Sequence, residues 1–205
     1  WEPVKLNRMV RRYAPQCVIN PRSGWEGDFY CDEGSYEING RVVPVPWEKN
    51  LCIGSGRSWG WIPDDPVTPF PDLIRMLVNV FVRDGNVLLN VGPDRDGVIP
   101  AGAVRRLHEV GEWMRRCGRS VYGTAAGPFQ PVDHVYGTTC RADRLYLHIL
   151  DYPAFLRQPL PPLRQRVVDA VCLTGGKASF TQNDGRLALR VDGRDADEPD
   201  TVVEL

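Results

Sequence analysis

The chain has 205 residues, 42% of them hydrophobic and 25% charged, with a formal net charge of −1; this describes a folded protein of one large domain or two small ones. A near-neutral charge gives no electrostatic footprint for nucleic acid or an anionic membrane surface. The longest apolar run, Leu73 to Val82, is broken by Arg75 and Asn79 and is too short to cross a bilayer.

Residue 1 is Trp and no charged-then-apolar leader precedes it, so the expectation is a chain that begins inside a larger protein or was trimmed. Leu6, Met9, Val10 and Tyr13 recur at helical spacing and predict an amphipathic helix that stops at Pro15. CVIN (17–20) reads as a short apolar strand, and residues 21–46 as a long, ordered functional loop rich in Gly, Pro, acids and aromatics. LCIG (51–54) is a second strand, followed by a Gly/Ser/Trp loop. Pro71 and Asp72 open a helix over about 71–83 that faces Leu73, Ile74, Leu77, Val78 and Phe81 inward. NVLLNV (86–91) is the continuous apolar run of a strand buried on both faces. GPDRDG is a turn, and Pro100 leads a helix to about Arg116, closed by Gly118.

This order reads as consecutive β/α units with a parallel sheet, whose functional loops follow the C-terminal ends of the strands. Near Tyr122 the pattern changes. RLYLHIL (144–150), RVVDAVCL (166–173), ASF (178–180), RLALRV (186–191) and TVVEL (201–205) read as strands between Pro, Gly and Asp turns, a small antiparallel β-sandwich. The fold class is therefore α/β: a partial (β/α)8-like barrel over residues 1–124, then a β-sandwich over 125–205. A complete eight-stranded barrel needs about 250 residues. Residues 1–122 supply about three of its units, so the expectation is a missing N-terminal half-barrel, or a partner chain or homo-oligomer that covers the open edges.

The six cysteines are scattered with no CxxC, and the three histidines lie away from them, so buried free thiols are the expected state and no metal or cofactor is implied. Lysine occurs only at Lys5, Lys49 and Lys177, a bias of GC-rich bacterial genes. A secreted, periplasmic or cytoplasmic location is left open.

The densest chemistry is in residues 26–37. Glu26, Asp28, Asp32, Glu33 and Glu37 surround Phe29, Tyr30 and Tyr36. Carboxyl groups beside aromatic rings lose solvation, which moves them toward general-acid behaviour. Glycosidic bonds are usually cut by two such groups facing each other. No GxGxxG or GxxxxGK[ST] occurs, which counts against a nucleotide-binding protein.

Four stretches in order, NPR (20–22) with GDFYCDE (27–33), WEKNLCIGSGRSWGW (47–61), GNVLLNVGPDRDGVIP (85–100) and GEWMRRCGRSVYGT (111–124), resemble the C-terminal half of the catalytic barrel of glycoside hydrolase family 29, the α-L-fucosidases. The resemblance covers roughly residues 5–124, and the later β-rich part is similar in type to the family's C-terminal sandwich. It implies retaining hydrolysis of terminal α-L-fucose from fucosylated glycoconjugates, without a metal. It further implies that Glu33 is the acid/base, with Asp32 and Glu37 as rivals, that Arg22 contacts the sugar, and that Trp59 lines the fucose pocket. Pro21 stands where the family commonly has Asp, so local hydrogen bonding must differ.

The plainer alternatives are a solvated acid for Glu33, a surface arginine pairing with Glu26 or Asp28 for Arg22, and a core or interdomain ring for Trp59. For Trp61 that last reading is preferred. Glu48 reads as structural, paired with an arginine at the rim. Asp28 reads as a loop-ordering acid, Asp94 as a turn residue rather than a calcium ligand, and His108 as a helix-face residue. The nucleophilic Asp is expected upstream of residue 1, which predicts that the chain alone is inactive. The competing functions are a catalytically inactive remnant that binds fucosylated glycans or complements another chain, and a retaining glycosidase for another deoxy or methyl sugar.

Overall fold

The computed structural model describes residues 2–33, 38–55 and 58–205. Its first half is a three-stranded parallel sheet in the order β1-β2-β3, with β1 at Tyr30–Glu33, β2 at Trp47–Cys52 and β3 at Gly85–Asn90. Helix α1 (Pro3–Tyr13) precedes the sheet, α2 (Phe70–Phe81) joins β2 to β3, and α3 (Ala101–Cys117) follows. Proline in the first turn and the 3.6-residue spacing of Leu73, Ile74, Leu77 and Val78 form α2 and aim its apolar face at the sheet. There they meet Leu51, Ile53 and Trp113 in one core, each buried aliphatic side chain worth about 1.5–3 kcal/mol in desolvation.

The second half is a five-stranded antiparallel sheet in the order β4-β5-β6-β10-β7: β4 Ala125–Ala126, β5 Tyr136–Arg141, β6 Arg144–Ile149, β10 Thr201–Glu204 and β7 Val171–Cys172. A short helix, α4 (Tyr152–Phe155), follows β6, and a hairpin, β8 (Lys177–Asn183) with β9 (Arg186–Asp192), lies before β10. The period-2 alternation of β6 and β10 sorts their side chains to two faces. Leu145, Leu147, Ile149 and Val203 meet Leu187, Leu189 and Val191 of the hairpin. Val202 and the half-buried Leu150 and Leu173 belong instead to the core around α2 and α3.

That second face carries a buried polar pair. His148 and Asp200 are fully buried, Nδ1 to Oδ2 2.7 Å, and Thr139 Oγ1 beside the imidazole donates to the Ser120 carbonyl at 2.6 Å. All six cysteines are free, two of them buried. Burial, and then the charge of Asp200, pushes the Cys117 thiol up to about 12. At the other end of the parallel strands, Arg83 is almost wholly buried. Its guanidinium donates to the Gly40 carbonyl (3.1 Å), to both oxygens of Asn79 (2.9 and 3.0 Å) and to Asp133 (2.6 Å), tying loop, helix and β-rich half together.

Several sequence expectations change. CVIN (17–20) is no strand; the chain there closes a loop in which the Asp28 amide donates to the Ile19 carbonyl at 2.8 Å, and the first strand comes ten residues later. Strand β3 is not buried on both faces: it is an edge strand and Leu88 is 45% exposed. The apolar face of α1 lies open at Leu6, Met9 and Tyr13. The strand expected over 166–173 shrinks to Val171–Cys172, because Val167 donates its amide to the Gln182 side chain rather than to a ladder. Strand β5, rich in Gly and Thr, was not anticipated. No helix among the described residues is long and apolar enough to cross a membrane.

Candidate active site

Parallel strands end on one edge, and here that edge carries Glu33, Cys52 and Asn90. The loop before β1 is built to bring a cation there. Asn20 Oδ1 accepts the Arg22 amide at 3.1 Å and caps a 3-10 turn, Pro21–Ser23, whose first position suits proline's fixed φ. Gly24, at φ 85°, closes the turn. Gly27 lets the crossing strands of the loop touch, since a Cβ there would stand 2.6 Å from Pro21 N. Asp28 then locks the loop: its Oδ2 accepts the Ile19 amide at 2.7 Å and pairs with Arg11. These contacts, the amide first, hold the Asp28 carboxyl below its ordinary value. The loop-ordering role expected of Asp28 is what the structure shows.

Arg22 reaches Glu33 in an ion pair, and its guanidinium is raised further by that hydrogen bond first and by one to Cys31 second. The surface alternatives, Glu26 or Asp28, are not its partners. Asp32, one residue earlier on β1, turns to the other face. There it takes the ammonium of Lys49, which is fully buried, at 2.7 Å. Lys49 is a site-adjacent residue the sequence reading missed. The signal was a lysine inside an otherwise buried strand, WEKNLC, where a charge must be paired. Glu37, the other rival acid, lies outside the described residues.

Trp59 sits two strands away from Glu33. Asn90, at the tip of β3, donates to its carbonyl at 2.9 Å, and its ring is 42% exposed. Adjacent strands are about 4.8 Å apart, so the Trp59 loop and the Arg22–Glu33 pair share an edge. Among the described residues no hydrogen bond or ion pair links them. Trp61 is not a core ring: it is 45% exposed and, with Asn90, Pro100 and Asp65, lines a hollow of about 230 Å3 at the tips of β2 and β3. Glycines 54 and 92 make room for that loop; a Cβ on Gly92 would lie 2.8 Å from the Gly60 carbonyl carbon. Glu48 accepts from Asn86 at 2.6 Å, not from an arginine. Asp94 Oδ1 accepts the amides of Asp96 and Val98, both at 2.9 Å, as a turn residue does. His108 is exposed on α3.

The arrangement can do two things. An arginine fork beside a carboxylate can hold vicinal hydroxyls of a sugar, and the carboxyl can exchange a proton with a group held there. Separately, the exposed rings of Trp59 and Trp61 can pack on an apolar sugar face.

The family model for alpha-L-fucosidase matches residues 1–119. Plasma alpha-L-fucosidase of Rattus norvegicus is 28% identical over 169 residues, 74% of this chain and 36% of that protein. Among solved structures, alpha-L-fucosidase isoenzyme 1 from Paenibacillus thiaminolyticus superposes with a TM-score of 0.83 at 28% identity, covering 100% of this chain and 53% of that one. The alpha-L-fucosidase from Vibrio sp. strain EJY3 gives 0.83 at 27%, covering 98% and 37%. The chain thus spans about a third of the curated relative and about half, or less, of the solved proteins.

Proposed function

The chain belongs to the alpha-L-fucosidase family, and from that premise we propose that it forms the acid/base half of a retaining α-L-fucosidase. Its substrate is then the terminal α-L-fucose of a glycoconjugate. Residues 1–124 are the last units of a (β/α) barrel, residues 125–205 a β-sandwich, and the nucleophilic aspartate comes from polypeptide outside these 205 residues. The open edges of the parallel sheet and the uncovered face of α1 support the part-barrel reading.

The observation that carries the proposal is the contact of Arg22 with Glu33 at the C-terminal edge of the parallel sheet, where barrel loops build their sites. In the first step Glu33 protonates the leaving oxygen; in the second it takes a proton from the attacking water. Arg22 fixes the carboxyl and contacts sugar hydroxyls, and Trp59 covers the apolar face of fucose. With Asp32 committed to Lys49, Glu33 is the acid left at that strand end facing Arg22.

The test uses the protein together with its flanking sequence. Glu33→Gln is expected to lower kcat/KM on a natural fucosyl disaccharide by about 10²–10⁴, and much less on an aryl fucoside whose leaving group needs no proton. Equal losses on both substrates remove Glu33 from the acid/base role. A second reading, sugar binding without catalysis, draws on one fact: among the described residues no other carboxylate pairs with Arg22. Fucose binding with no release from any fucoside favours that reading, and robust turnover by the 205-residue chain alone overturns the external nucleophile.

A further inference from the structure

A groove runs along the β8–β9 hairpin on the β-rich half, remote in sequence from Arg22 and Glu33. Its outer wall is the extended chain after α4, pinned to the hairpin at several points. The Leu163 amide donates to the Gly185 carbonyl at 2.7 Å, and the Val167 amide to Gln182 Oε1 at 2.9 Å. Gln182 Nε2 donates back to the carbonyls of Leu163 and Gln165, at 3.2 and 2.8 Å. Two hollows of about 1450 and 570 Å3 meet at Thr181. Arg157, Arg186 and Arg190 line the first, and Arg164 and Arg166 the second.

All five arginines are exposed, and among the described residues none of the five guanidinium groups has an ion-pair or hydrogen-bond partner. Elsewhere arginines such as Arg11, Arg83, Arg116 and Arg119 have carboxylate partners, while Arg8, Arg12, Arg105 and Arg141 have none among the described residues, so it is the clustering of five such groups that sets this surface apart. One carboxylate, Asp184, lines the groove, on a chain whose net charge is −1. The alternation of β9 puts Arg186 and Arg190 on the outward face, about 13 Å apart along the strand. Several exposed guanidinium forks on one surface, with a single carboxylate among them, offer an extended polyanion a series of charge-assisted hydrogen bonds.

We propose that this groove binds an anionic polysaccharide, one that carries sulfate or carboxylate groups. The proposal rests on the fucosidase reading only in taking the polyanion to be a glycan. Guanidinium forks meet the charged groups, while Thr181, Asn183 and Gln158 offer hydroxyl and amide groups to the sugar ring. Single-stranded nucleic acid is less suited, because the aromatic rings of the lining, Phe155 and Phe180, pack into the core rather than offering a stacking face. A bilayer is less suited because the surface is concave.

The experiment measures binding, not turnover, so that it stands apart from the fucosidase test. The chain is titrated with dextran sulfate, polygalacturonate and neutral dextran at physiological salt. The triple variant Arg157→Gln, Arg186→Gln, Arg190→Gln is compared with a control of equal charge change, Arg75→Gln, Arg95→Gln, Arg115→Gln. We expect binding to one of the two anionic polymers but not to neutral dextran, weakened about tenfold or more by the groove variant and less than twofold by the control. Which polymer binds decides between sulfate and carboxylate. No binding, or equal loss in both variants, overturns the groove as a site. DNA or anionic vesicles that compete as well as the polysaccharide overturn the glycan as its occupant.

Discussion

At the scale of single residues, charge pairing divides the acids of the 26–37 stretch by role. Asp28 is committed to the Ile19 amide and Arg11, Asp32 to a buried ammonium, and Glu33 to Arg22. The loop-ordering role of Asp28 was legible in sequence, because Asp in a Gly-flanked loop seeks backbone amides. The partner of Asp32 was not, since register alone sets Lys49 opposite it. The lowered carboxyl of Asp28 has a definite consequence for pH. Its contribution to stability is complete above the unfolded carboxylate value, and it is lost as pH falls through the lower folded value. The amide of Ile19 should therefore lose hydrogen-exchange protection in acid, below about pH 4. In Asp28→Asn that acid step should vanish, with protection already low at neutral pH; an unchanged acid step in the variant would assign it to another group.

Elements were easier to foresee than their edges. Both long helices lie within two residues of their expected spans, because proline starts and a 3.6-residue apolar repeat are local signals. The first strand was misplaced because CVIN is as apolar as a strand, while Gly27 and Asp28 fold it into a loop instead. Strand β5 was missed because YGTTCR lacks an apolar alternation. Its Gly137 and Thr139 face a neighbouring layer that exists only in the folded chain. Two glycines make this testable by urea unfolding. A Cβ on Gly137 would sit 2.5–2.8 Å from the side chain of Val82, so Gly137→Ala should cost about 1–3 kcal/mol. Gly111 on α3 has open space around its Cβ direction, and Gly111→Ala should stabilise by about 0.4–1 kcal/mol. Similar effects at both positions would mean that the sheet does not press on the end of α2 as described.

For the whole molecule, the five-stranded sheet is a wall shared by two cores. Val202 belongs to one and Val203 to the other, and the pair His148–Asp200 is buried in the face between them. Residues 1–124 and 125–205 are thus expected to unfold together. Tryptophan fluorescence, with every Trp at or before residue 113, and amide exchange in β8–β9 should report one transition. Asp200→Asn, which replaces the carboxylate in a buried hydrogen bond to His148, should lower the stability read by both signals together by about 1.5–3 kcal/mol. Two separate transitions, or a shift in one signal only, would show independent halves. The sequence by itself determined the helices, the change from α/β to β-rich architecture near Tyr122 and the family, since these are written in local periodicity and ordered motifs. Only the tertiary structure decided which carboxylate faces which cation, which strands lie at an edge, and that five arginines line two hollows with Thr181 in common. Those depend on register and on contacts between residues far apart in the chain, which local spacing does not encode.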